Sequence, residues 1–407
     1  MNSLYLSRTL EPVLQQVAKE FPAVVLTGPR QSGKTTLLKH VFGSNSRYAS
    51  LDTPDVRARA IHDPRGFLES LPPPVILDEV QYAPDLLFYI KELIDSKREQ
   101  RGQYLLTGSQ DLLLSETVTE SLAGRTAVLR LLPLSNREAK ARPQTPLVWE
   151  QGTEPKPKES PSTLQMWEVF IRGGYPELVC DRDRNVARWH ANYVRTFLER
   201  DVRSIRQVGD LTQFQDFLRL LAARSAQLLN ITSIARDLGV AVNTIKAWLS
   251  VLEANYQVTV LRPHFANVKK HLVKTPKVYF SDVGTLCHLV GLSDPLHASA
   301  GPMSGAIMET AVLSELRRSL IHRGLDPHIY FWRTSAGTEV DFIVRTNKGL
   351  VPIEVKTTGT PRPAMASSIV QFQRDLGPEA TNGYVVHSGN TTLALNSSVK
   401  ALPFYSL

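Results

Sequence analysis

The 407-residue chain is 42% hydrophobic and 21% charged, with a formal charge of +8. That length calls for two or three cores rather than one. Nothing approaches the roughly 18 apolar residues that span a bilayer, and Arg8 and Glu11 interrupt the apolar N-terminus, so neither a membrane span nor a secretory leader is expected. Cys180 and Cys287 stand far apart without metal-ligand spacing, which argues against a disulfide scaffold or a zinc site and for a cytoplasmic protein.

In the N-terminal third, short apolar strands alternate with helical patterns, as in a parallel α/β sheet covered on both faces. Strands are expected at Ala23 to Thr27, Arg47 to Leu51, Val75 to Leu77, Tyr104 to Thr107 and Ala127 to Leu131. Between the first strand and an amphipathic run lies Gly28-Pro29-Arg30-Gln31-Ser32-Gly33-Lys34-Thr35-Thr36, with the spacing of a phosphate-binding loop. Its glycines let backbone N–H groups turn inward around phosphates, and the following helix adds its N-terminal dipole. Lys34 is expected to reach the β- and γ-phosphates of ATP, and Thr35 to ligate Mg²⁺. Val75-Ile76-Leu77-Asp78-Glu79 is an apolar strand ending in two carboxylates: Asp78 for Mg²⁺ and Glu79 to polarise the attacking water. Leu105-Leu106-Thr107-Gly108-Ser109 ends in hydroxyls, of which Ser109 or Thr107 would position that water.

These motifs, with Gln81, Leu122-Ala123-Gly124-Arg125 and Pro133-Leu134-Ser135, resemble the AAA+ ATPases. Specifically, the chain resembles a prokaryotic family that joins an AAA+ core to a C-terminal domain of unknown function. The resemblance runs over nearly the whole chain and implies a homo-oligomer, a hexameric ring in its fullest form. A basic side chain of one subunit would then complete its neighbour's site; Arg125 is the first candidate and Arg130 the second. The core is expected over residues 1–140, and the Pro-, Lys- and Glu-rich residues 141–163 read as a linker or flexible insert.

Residues 164–211 form a helical connector, with Trp167, Phe170 and Ile171 on one stripe and Val194, Phe197 and Leu198 on another. Within 212–280 the run from Ile231 to Leu249 has helix-turn-helix form, turning at Gly239. Asn243, Thr244 and Lys246 are left outward at the start of its second helix, where base edges or phosphates of DNA would lie. Val258 to Arg262 and Lys277 to Phe280 would be the strands of a wing, with Lys269 and Lys270 among the cations facing the DNA backbone. Such winged units also serve as protein-interaction modules.

Residues 281–407 read as a second α/β unit. Asp341 lies among apolar strand residues, and Glu354 and Lys356 project together because residues two apart share a strand face. Glu309, or else Glu315, adds a carboxylate from a helix. The pattern looks like the Asp…Glu-x-Lys core of restriction-endonuclease-like nucleases and, with Glu309, is similar in order to archaeal Holliday-junction resolvases. Two carboxylates and a peptide carbonyl can hold Mg²⁺, while the lysine orients water. The expected fold is thus an AAA+ parallel sheet, a helical winged-helix middle and a restriction-endonuclease-like C-terminal domain. The leading expectation is an ATPase acting on DNA, branched DNA included, with the nuclease-like domain gripping or cutting it. The competing class is a regulatory or defence-related ATPase whose C-terminal domains bind proteins.

Overall fold

The structure is a computed structural model that describes residues 5–109, 122–150, 161–198, 210–264 and 273–407. Five strands, β1 (Ala23–Thr27), β2 (Arg47–Ser50), β3 (Val75–Asp78), β4 (Tyr104–Gly108) and β5 (Thr126–Arg130), form the N-terminal sheet. They are all parallel, in the order β2-β3-β4-β1-β5. β1, β3 and β4 are buried along their whole length, which explains why they read as unbroken apolar runs. Helices Glu11–Glu20 and Lys34–Phe42 cover one face, through Leu14, Leu37 and Leu38. The helices at Pro54–His62, Pro64–Glu69 and Leu86–Ser96 cover the other, through Ala60, Phe67 and Ile90.

The middle of the chain is helical. Helix Thr163–Arg172 opens with a capping box between Ser162 and Gln165 and stops at Gly173, whose φ of 79° suits glycine. Helices Ile231–Leu238 and Val242–Ala254 are separated by Gly239 at φ 66°, the left-handed cap that the sequence placed there. β6 (Val258–Leu261) and β7 (Lys277–Phe280) pair antiparallel behind them.

A mixed six-stranded sheet closes the chain, in the order β12-β13-β11-β10-β9-β8. Its strands are β8 (Ile329–Arg333), β9 (Glu339–Thr346), β10 (Gly349–Lys356), β11 (Gly383–His387), β12 (Leu393–Ala394) and β13 (Val399–Pro403). Helix Ser304–Ile321 packs on one face of it and helix Ser367–Leu376 on the other. Phe342 therefore points into one core while its neighbour Ile343 points into the second.

The first of those cores is continuous with the helical middle: Trp167, Phe170, Leu218, Leu252, Ile307 and Phe342 belong to one buried cluster. Part of the expected linker is drawn into it. Leu147 is buried there and Tyr384 donates its hydroxyl to the Val148 carbonyl at 3.3 Å, whereas residues 151–160 lie outside the described residues. Among the described residues no helix is long and apolar enough to cross a membrane.

Candidate nucleotide site and the C-terminal carboxylate cluster

In a parallel sheet, loops at the carboxyl ends of the strands converge beside the point where strand order reverses. Here β1 lies between β4 and β5, and the loop from Gly28 to Gly33 leaves its carboxyl end. Gly28 has a φ of 146°, and a Cβ there would stand 2.1 Å from the Leu131 carbonyl oxygen, so no other residue fits. Gly33 at φ 94° caps helix Lys34–Phe42, whose first turn has neither a side-chain cap nor an acidic residue. Such an uncapped N-terminus suits an anion. Ser32 Oγ is buried and has no hydrogen-bond partner among the described residues, a second sign that the loop is built around a polar guest. Gln31 holds φ 60°, and Arg30 donates to the Tyr82 hydroxyl at 3.3 Å. Thr36 is exposed on the helix.

The buried Lys34 donates from Nζ to the carbonyls of Gly28 and Pro29, both at 2.9 Å, so its charge sits inside the loop. Asp78 ends β3 and accepts from the Thr35 hydroxyl at 2.6 Å, the Thr107 hydroxyl at 2.5 Å and the Tyr48 hydroxyl at 3.0 Å. Thr35 and Asp78 are thus close enough to share a cation, and their hard oxygens suit Mg²⁺. Tyr48 was not singled out from the sequence: it stands on β2, and only the β2–β3 pairing brings it to Asp78. Burial first, and then the Asp78 charge, push its hydroxyl pKa up.

Glu79 occupies the left-handed region at φ 58°, ψ 51°, uncommon for glutamate and typical of functional strain. Its amide donates to Thr107 Oγ1 at 3.0 Å, and its carboxylate accepts from Gln81 Nε2. Gln81 Nε2 also donates to Ser109 Oγ at 3.0 Å. Both hydroxyls named from the sequence therefore belong to the cluster, Thr107 through Asp78 and Ser109 through Gln81.

Arg125 lies elsewhere. It precedes β5, at the end of the sheet opposite the phosphate loop, and pairs bidentately with Asp95 at 2.7 and 3.0 Å. It takes no part in its own chain's site. Arg130 is at the nucleotide end of β5 and pairs with Asp326 at 2.8 Å.

In the C-terminal sheet, β9 and β10 run antiparallel with Phe342 opposite Ile353, which brings Glu354 beside Asp341. Asp341 Oδ2 accepts the Val355 N–H at 2.7 Å; Glu354 accepts from Lys356 at 2.6 Å and from Ser368 at 3.1 Å. Glu309 comes down from its helix to accept from the Tyr279 hydroxyl at 3.0 Å. Glu315, the rival carboxylate, points instead to the N-terminal unit and accepts the Asn136 N–H at 2.9 Å. Lys277, buried on β7, pairs with Glu309 at 3.3 Å and with Glu339, a partner that sequence spacing alone did not signal. Among the described residues no group of three or more histidine, cysteine, aspartate or glutamate side chains is arranged to hold a metal ion. A cation here would have the Asp341 and Glu354 pair with a peptide carbonyl, the smaller of the ligand sets expected.

Burial, and next the Asp341 charge, push Glu309 up to about 8 and Glu354 up to about 7. A carboxyl whose pKa is higher folded than unfolded stabilises most below its unfolded value, near 4.5. That contribution falls as pH rises from about 4.5 and is gone above about 8 for Glu309 and about 7 for Glu354. Glu309→Gln, a neutral isostere, should melt progressively higher relative to wild type between pH 5 and pH 8. A constant offset in melting temperature across that range would show that Glu309 is ionised in the fold.

Asn243 and Lys246 are exposed and Thr244 half-buried at the start of helix Val242–Ala254; Lys269 and Lys270 lie outside the described residues.

The phosphate loop, the strand-end carboxylates and the parallel sheet define a nucleotide-binding domain of AAA type. In keeping with this, a model described as AAA domain matches residues 20–140. Models described as Domain of unknown function (DUF8612) and Domain of unknown function (DUF4143) match residues 163–296 and 304–407. Over 394 residues the chain is 30% identical to the uncharacterized protein Rv2008c of Mycobacterium tuberculosis, covering 96% of this chain and 82% of that protein, and it belongs to the same family. It is also 24% identical over 288 residues to the uncharacterized protein MJ1544 of Methanocaldococcus jannaschii, covering 69% of this chain and 60% of that one. Among solved structures, it is similar to a Walker-type ATPase of Pyrococcus abyssi (16% identity, 69% of this chain and 94% of that chain, TM-score 0.44).

Proposed function

We propose that the protein hydrolyses ATP and applies the hydrolysis to DNA. The observation that carries the first half is the meeting of Lys34, Thr35, Asp78 and Thr107 at one end of the sheet. In this reading the backbone of residues 28–36 cradles the phosphates, and Lys34 exchanges the Gly28 and Pro29 carbonyls for phosphate oxygens. Mg²⁺, when bound by Thr35 and Asp78, would offset the charge that develops on the phosphates. Glu79 receives the proton of the attacking water, and Ser109, linked to it through Gln81, helps to fix that water's position. In a ring, Arg125 would have to leave Asp95 to reach a neighbour's site, and Arg130 would have to leave Asp326.

The second half rests on the paired helices Ile231–Leu238 and Val242–Ala254 with the β6–β7 ribbon, the layout of a winged helix. The polar start of the second helix is free to meet a duplex. The C-terminal unit we read as restriction-endonuclease-like. A cleft of about 640 Å³ beside its carboxylates is lined by Glu339, Glu354, Lys356, Arg362, Ser368 and Gln371. With the Lys277 ammonium already set among the carboxylates, this geometry favours gripping DNA over cutting it.

ATP turnover measured with duplex, single-stranded and four-way DNA at low salt tests the whole reading. Stimulation severalfold or more by at least one DNA is expected, with Lys246→Glu weakening it. Rates and gel mobility that ignore every DNA would leave the regulatory, protein-binding reading in its place. Nicking that needs Mg²⁺ or Mn²⁺ and vanishes in Asp341→Ala would replace gripping by cutting.

A further inference from the structure

The phosphate loop is held from outside by a residue no motif includes. Arg8, 3% exposed, precedes helix Glu11–Glu20, and its guanidinium forks three ways. Nη1 donates to the Ser32 carbonyl at 2.9 Å, Nη2 to the Leu132 carbonyl at 2.7 Å and Nε to Glu138 at 3.1 Å. In a trans peptide the carbonyl and the next N–H point to opposite sides. Arg8 therefore fixes the Ser32–Gly33 peptide plane and turns the Gly33 N–H away from itself.

Arg8 is in turn linked through Glu138 to the C-terminal half of the chain. Glu138, fully buried, also accepts the N–H groups of Thr9 at 2.8 Å and Ser135 at 2.9 Å. Its last partner is His322, which follows helix Ser304–Ile321, with Nδ1 at 3.1 Å. The Leu132 N–H donates to His322 Nε2 at 3.1 Å, so that nitrogen is unprotonated and the ring's proton sits on Nδ1, facing Glu138. A neutral ring agrees with burial, which pushes the pKa of His322 down. An unbroken chain of buried polar contacts thus runs from the phosphate loop through Arg8 and Glu138 to the helix that carries Glu309.

We propose that Arg8 is a positioning residue of the phosphate loop, aiming the Gly33 N–H at the nucleotide's phosphates, and that His322 couples nucleotide affinity to the seating of the C-terminal unit. The inference rests on residues 28–36 being the phosphate site. A network of this kind couples two sites when it has two arrangements, here the helix seated or unseated, that both sites bias, and by linkage a nucleotide that tightens the loop also tightens the docked helix.

The test is ATP affinity by titration calorimetry on the full chain with Mg²⁺, in variants shown by circular dichroism to be folded. Arg8→Met should bind ATP about tenfold to a hundredfold more weakly, the loss of one charge-assisted contact. His322→Leu should weaken binding about tenfold, His322→Asn, which restores a donor to Glu138, should recover most of it, and His322→Leu should add nothing in the Arg8→Met background. Should Arg8→Met fail to fold, the two His322 variants carry the test alone. Binding by Arg8→Met or His322→Leu within twofold of wild type overturns the proposal, and so do effects that multiply in the double variant. A wild-type chain that binds no ATP would instead overturn the reading of the loop itself.

Discussion

Lys34→Ala should weaken ATP binding by at least about a hundredfold. The ammonium is buried within the loop, where it donates to the carbonyls of Gly28 and Pro29. Its removal deletes the cation that would exchange those carbonyls for phosphate oxygens. Charge-assisted hydrogen bonds contribute about 1.5 to 3 kcal/mol each, so losing two weakens binding by about 10² to 10⁴. The chain should still fold, since the Leu37 and Leu38 packing beneath the helix does not involve Lys34. Calorimetric titration with ATP is the check. An affinity within tenfold of wild type would take Lys34 out of the site.

Glu79→Gln should bind ATP and fail to turn it over. Glutamine matches the shape of glutamate and tolerates the same left-handed backbone, so the Thr107 contact to the residue 79 amide survives. What is lost is an acceptor for the proton of the attacking water, and general-base groups contribute about 10² to 10⁴ in rate. The expected result is a fall of that size in kcat with little change in KM, and ATP retained on the protein after gel filtration. Turnover near wild type would mean that another group handles the water.

The candidate nucleotide site was legible in the sequence because its residues are contiguous. Gly28 to Thr35 lie in one loop, and Asp78 and Glu79 are neighbours at the end of an apolar run. The strands around them were equally plain, since strands buried on both faces carry no polar residue to blur the pattern. Tyr48, Arg8 and Lys277 were not legible, for a common reason. Tyr48 reaches Asp78 across 30 residues, Arg8 reaches Glu138 across 130, and Lys277 reaches Glu309 across 32. Periodicity tells which face a side chain occupies but not which strand or helix lies next to it. The Asp341 and Glu354 pair was an intermediate case: the two-residue spacing placed Glu354 with Lys356, and the hairpin register supplied the rest. Arg125, expected to reach a neighbour's site, stands at the far end of β5 in its own chain, and its pairing with Asp95 across 30 residues was equally hidden from the sequence.

The family models divide the chain between residues 296 and 304, but the apolar interior does not divide there. Leu286 and Cys287 on one side of that gap share a buried cluster with Ile307, Met308 and Val312 on the other. Homology therefore draws a border where packing draws none, and what looks like a string of modules is, past the nucleotide domain, joined through one buried core. A descendant that shed the last hundred residues would be left with a greasy flank on its helical middle. The two segments of unknown function are bound to share a fate, and an account of what one does must include the other.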